Sequence, residues 1–116
     1  MILSASNIAW AASERHEAYE ILAQNDFSGL EIAPSLFFWK SRKPFRPGSA
    51  EIKRAISELE IFGLELVSMQ SILFGLDDAR IFGDDAQFHS FLRGMEAAIS
   101  LAGELEISNI VFGCPK

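Results

Sequence analysis

Hydrophobic and polar positions follow a repeating order along the chain: a short apolar run, then a stretch with helical spacing, three times over, and then a fourth apolar run. The first run, residues 2–8, mixes β-compatible side chains with Ser4, Ser6 and Asn7. A helix over 13–25 follows, with Ser13 as the expected N-cap, Glu14 and Glu17 in the first turn, and Ala18, Ile21 and Leu22 as the buried stripe. The second run, 29–34, opens at Gly29 and closes at Pro34, which cannot continue a ladder in a central strand. A long loop leads to a helix over 49–62, capped by Ser49, with Ile52, Ala55, Ile56 and Leu59 on one face and Gly63 as its left-handed stop. The third run, 64–71, begins at once. The last helix, 84–106, is capped by Asp84 or Asp85 and carries the stripe Phe88, Phe91, Leu92, Met95, Ile99 and Ala102. A fourth strand over 107–113 ends at Gly113.

Strand, crossover helix and strand at this spacing predict an α/β fold with a parallel sheet. Alternate strand positions are polar, at Ser4 and Ser6, at Glu31, and at Ser68 and Gln70. An open doubly wound sheet has helices on both faces and near-continuous apolar strands. A barrel has helices on one strand face and a lumen on the other, with its site at the C-terminal strand ends. The pattern therefore predicts a parallel (βα)4 unit, the N-terminal half of a TIM (β/α)8 barrel, whose closed form takes about 250 residues.

Composition narrows the function classes. At 116 residues the chain is a single partial-barrel domain with one core, and 49% hydrophobic residues are enough to build it. A net charge of −6 does not suit a nucleic-acid coat. A lone cysteine, Cys114, can form neither an internal disulfide nor a cysteine-based zinc site and fits a reducing compartment. The apolar runs are too short to span a bilayer, and Met1 leads straight into the first strand without a basic n-region. A soluble, cytoplasmic protein is expected.

Four segments carry a family resemblance: Ser4-Ala5-Ser6-Asn7-Ile8-Ala9-Trp10, Gly29-Leu30-Glu31-Ile32-Ala33-Pro34, Leu66-Val67-Ser68-Met69-Gln70, and Ile110-Val111-Phe112-Gly113-Cys114-Pro115-Lys116. The chain resembles the N-terminal half of the xylose isomerase-like TIM barrels, which include sugar phosphate isomerases and epimerases as well as endonuclease IV. The likeness lies in strand ends and spacing and runs the whole length of the chain. It implies a metal-dependent enzyme that moves a proton next to the carbonyl of a sugar or sugar phosphate. It also implies that the divalent ion (Mn, Mg, Co or Zn) is held by Glu, Asp, His and Glu of later strands, so that this chain alone binds no metal and is inactive. The nuclease branch places a metal-binding histidine where Gln70 stands, so an abasic-site endonuclease is the weaker alternative. A third reading, from another class, is a non-catalytic (βα)4 module that self-associates through its unpaired sheet edges to complete a barrel.

The candidate substrate contacts are Asn7, Trp10, Glu31, Trp39 and Gln70. Glu31 points away from the helix-facing Leu30 and Ile32, and a carboxylate there is either a substrate-hydroxyl contact or an anchor for neighbouring loops. Gln70 and Asn7 are strand-end amides with the same two readings. Trp10 and the Phe37-Phe38-Trp39 run lie in loops on the substrate side, where rings can pack on sugar C–H faces or on one another. Lys40, Arg42, Lys43 and Arg46 crowd one loop, as a phosphate site or as a solvated charge run. His16 and His89 fall within helices, remote from the strand ends. Cys114 lacks a partner base, and Gly113 and Pro115 shape the loop after the fourth strand.

Overall fold

Three short parallel strands pair in the order β1-β2-β3, and a computed structural model describes them within residues 1–113. Strand β1 is Ser4–Ser6, β2 is Gly29–Ile32 and β3 is Glu65–Met69. Helix α1 is Arg15–Gln24, α2 is Pro34–Phe37, α3 is Ser49–Ile61 and α4 is Asp85–Glu104. The fold is α/β, with crossover helices between parallel strands as the alternation predicts. No helix among the described residues is long and apolar enough to cross a membrane.

The register settles which side chains share a face. Ala5 pairs with Leu30, Ser6 with Glu31, Glu31 with Ser68, and Ile32 with Met69. Leu30, Ile32 and Met69 are fully buried in the core with Leu59, Leu101 and Tyr19, so one sheet face is apolar. Ser6, Glu31 and Ser68 share the opposite face. The alternation read from the sequence is thus realised in the sheet.

Several expected details differ. The fourth strand, predicted over 107–113, is reduced to one parallel bridge between Met69 and Ile110. The Met69 N–H donates to Asn109 O at 3.0 Å and the Val111 N–H to Met69 O at 2.8 Å. Ile107 is tied instead to the end of α4, its N–H donating to Ala102 O at 2.8 Å. Neither Ser13 nor Ser49 is an N-cap. Glu51 reaches back from the first turn of α3 to the Gly48 N–H, and Glu14 likewise to the Ala11 N–H across the 3-10 turn Ala12–Glu14 that precedes α1, each at 3.3 Å. Asp84 caps α4, accepting from the Gln87 N–H at 2.8 Å. Gly63 stops α3 with φ of +67°, as expected. Pro34 both closes β2 and opens the unforeseen α2 at its first position, where its missing N–H costs nothing. Cys114, Pro115 and Lys116 lie outside the described residues.

The α3 stripe of Ile52, Ala55, Ile56 and Leu59 packs on the core as expected, whereas those of α1 and α4 are rotated from their expected positions. Ile21 is 53% exposed, and Tyr19 takes its place beside Leu22 in the core. On α4 the buried side is Ser90, Gly94, Ala98, Leu101 and Ala102, whereas Phe88, Leu92 and Ile99 are exposed. Close approach explains the rotation. A Cβ on Gly94 would stand 2.7 Å from methyl carbons of both Leu73 and Leu76, so the small-residue side lies against the 71–84 loop. Apolar surface remains at both sheet edges, through Ile2, Leu3 and Ile8 on one side and Val111 and Phe112 on the other.

Candidate functional site

The polar sheet face is knit by one side chain. Gln70 continues the ladder past β3, its N–H donating to Ile32 O at 2.8 Å. The chain then turns sharply at Ser71, which adopts the left-handed conformation at φ of +54° and so pays a local conformational penalty beside the candidate site. Gln70 Nε2 donates to Ser6 Oγ at 2.6 Å and to Glu31 Oε1 at 2.5 Å. The carboxylate has no proton to give, so the amide nitrogen must face it, and both hydrogens of the amide are used. The second Glu31 oxygen, the Gln70 carbonyl oxygen and the Ser6 hydroxyl proton keep bonding capacity for a hydroxylated ligand. Glu31 and Gln70 are therefore brought together as the strand pattern implies.

Two further polar residues complete this face, and neither stood out in the sequence. Ser6 belonged to the alternating pattern but carried no chemistry of its own. Asn109 donates from Nδ2 to Ser68 Oγ at 2.9 Å and fastens the last described segment to β3. Its only signal is a polar residue two places from Val111. Asn7 is buried and committed to Ala33, accepting that residue's N–H at 2.8 Å and donating to its carbonyl at 3.4 Å. It locks the end of β1 to the end of β2.

The aromatic candidates separate. Trp10 is half-buried and meets Tyr19 edge-on, with ring centroids 6.2 Å apart. Trp39 is 44% exposed and sits in a shallow cleft with Arg15, Glu51, Arg54 and Glu58, residues of α1 and α3. Lys40 Nζ lies 4.9 Å from its ring centroid and Arg15 Cζ 5.9 Å away, both cation–π contacts. Trp39 thus belongs to the helical side and not to the Gln70 surroundings. Burial pushes the Tyr19 phenol up to about 12, so it stays protonated as a core residue.

Beneath Trp39 lies the one ion-pair group among the described residues. Arg15 donates from Nε and Nη2 to the two Glu58 oxygens at 3.0 and 2.9 Å, joining α1 to α3, and His16 Nε2 stands 3.2 Å from the same carboxylate. The hydrogen bond from Arg15 holds the Glu58 carboxyl below its ordinary range, against the opposing effect of burial. A depressed folded-state pKa contributes stability above the ordinary carboxylate pKa and loses it as pH falls through the depressed value. Because the pair is partly exposed, the contribution is about 0.5–1 kcal/mol. Unfolding free energies from urea titrations at pH 6 and pH 3 should differ less in Glu58→Gln than in the parent by that amount. An unchanged difference would remove this pair from the account. His89 is exposed and contacts its own helix, Nδ1 lying 2.6 Å from Asp85 O.

Beyond the C-terminal ends of β2 and β3 lie two adjoining clefts, of about 700 and 320 Å³. The smaller is lined by Gln70, Ser71, Leu73, Val111 and Gly113. The larger is lined by Ser35, Arg42, Phe45, Asp78, Ser90 and Arg93 among others, and Ile72 and Phe74 form a wall common to both. All four residues of the basic loop are exposed, but the loop is split: Lys40 lies over Trp39 and Arg42 lines the large cleft, while Lys43 and Arg46 line neither of the two clefts. Arg93, on α4, has no precedent in the sequence reading, because a lone arginine on a helix carries no signal there.

Family models give no match to the chain, and the curated proteins compared with it give none. Fold and chemistry are the grounds that remain. Among the described residues no three of His, Cys, Asp and Glu converge as a metal centre.

Proposed function

We propose that this chain forms the N-terminal half of a (βα)8 barrel of the xylose isomerase-like kind, in a metal-dependent sugar phosphate isomerase or epimerase. The observation that carries the reading is the polar sheet face, where Gln70, just past β3, donates to both Ser6 of β1 and Glu31 of β2 opposite an apolar face packed on helices. Such two-sidedness suits a barrel, with its lumen inside and its helices outside, better than a sheet covered on both faces.

On this reading Glu31, Gln70 and Ser6 bind and orient substrate hydroxyls at the barrel mouth. Loops bearing Arg42 and Phe74 border the substrate and exclude water. The described residues offer no metal centre, so no step through the ion is assigned to this chain. The carboxylates that take up and return the proton belong, on the same reading, to later strands. The test is exchange of a substrate C–H next to the carbonyl with solvent deuterium, followed by ¹H NMR.

The exposed apolar edges at Ile2, Leu3 and Ile8 and at Val111 and Phe112 favour a second reading, in which two copies complete one another without catalysis. Light scattering separates the two, because a clean monomer argues against mutual closure.

A further inference from the structure

We infer that the large cleft anchors a phosphate monoester, its phosphate held between Arg42 and Arg93 and its carbon skeleton resting on Phe45 and Phe74. The inference rests on the functional reading above and deepens it by locating the phosphate end of the ligand. It also departs from the loop cluster suggested by the sequence, since only Arg42 of those four basic residues takes part and its partner comes from α4.

Charge is the first ground. In a chain of net −6, this cleft is lined by two arginines and a single acid, Asp78. The Asp78 carboxylate accepts the Ser90 hydroxyl at 2.8 Å, and neither arginine makes an ion pair among the described residues. Two arginines from separate elements, the loop after β2 and α4, line one concavity, where an anion can be met by both. A phosphate monoester carries close to two negative charges and matches the fork of arginine.

Shape is the second ground. The α4 face under the cleft bears Ser90, Gly94 and Ala97, small residues that line its floor, with Gly94 packed against Leu73 and Leu76. About 700 Å³ lies within the range of small-molecule sites. Through the common wall of Ile72 and Phe74 the cleft adjoins the one lined by Gln70. A ligand anchored at the arginines can therefore extend its other end towards the polar sheet face.

Calorimetric titration of the chain with phenyl phosphate tests the subsite without a sugar or a carbonyl. Arg42→Ala and Arg93→Ala should each weaken binding about tenfold or more. Lys43→Ala should leave it unchanged, and Ala97→Leu should weaken it by narrowing the cleft with no change in charge. Circular dichroism confirms that each variant is folded, and the two exposed arginines keep the test valid should Ala97→Leu fail to fold. Benzoate in place of phenyl phosphate should bind at least tenfold more weakly. Equal affinity in the two arginine variants, equal loss in Lys43→Ala, or benzoate binding as tightly would overturn the proposal. Phenyl phosphate binding as described, with no proton exchange on any sugar phosphate, would retain the subsite and reject the isomerase reading.

Discussion

Leu30→Ala is expected to lower stability by about 3–5 kcal/mol, a large share of what a domain of this size holds. Leu30 is fully buried at the centre of β2, flanked by β1 and β3 and facing the helices, so its truncation opens a cavity that three elements would have to collapse together to fill. Urea unfolding followed by circular dichroism reads the loss. Ile21→Ala is the matched control. Its residue belongs to the apolar stripe read from the sequence, yet at 53% exposure it should cost about 0.5 kcal/mol or less. Equal losses for the two would mean that the register of β2 or the rotation of α1 is misplaced.

Gln70→Leu should cost about 1–3 kcal/mol for a different reason. The amide is the donor to both Ser6 and Glu31, and leucine would leave a half-buried carboxylate and a hydroxyl facing a side chain that offers them nothing. Glu31→Leu together with Gln70→Leu should cost less than the sum of the single changes, because removing both partners leaves fewer orphaned groups. A double-mutant cycle in urea should give a coupling of about 1 kcal/mol or more. Additive losses would show that the two side chains do not act as a unit. The same pair is assigned the substrate hydroxyls, so this cycle bears on function as well as on stability.

The strands and their faces were legible because period-two alternation is a local property. Ser6, Glu31 and Ser68 had to share a face once the three runs paired in parallel, and Leu30 and Ile32 had to oppose them. The α4 stripe was misjudged because hydrophobicity alone cannot foresee close approach. The presence of Gly94 against Leu73 and Leu76 decided which side is buried, and that neighbour is a loop with no periodicity to read. The caps at Ala11 and Gly48 were missed for a related reason: glutamates three residues on did the work expected of the nearby serines. Cavity membership was the least legible. Arg42 stood out as part of a basic run, whereas Arg93 acquires meaning only when α4 is set beside the loop after β2. Trp39 looked like a sugar-facing ring because it follows β2, but the α2 turn at Pro34–Phe37 carries it over to α1 and α3.

Solvent hydrogen exchange tests the central claim most directly. Ketose and aldose phosphates are incubated in D₂O with a divalent ion, once with this chain and once with this chain fused to the C-terminal four βα units of a xylose isomerase-like barrel, and the C–H next to the carbonyl is followed by ¹H NMR. The account predicts an intact C–H signal with the 116-residue chain and loss of that signal with a polypeptide that adds further βα units. Turnover by the chain alone would contradict the placement of the chemistry in later strands, and a C–H signal that survives in both samples would contradict the isomerase reading itself.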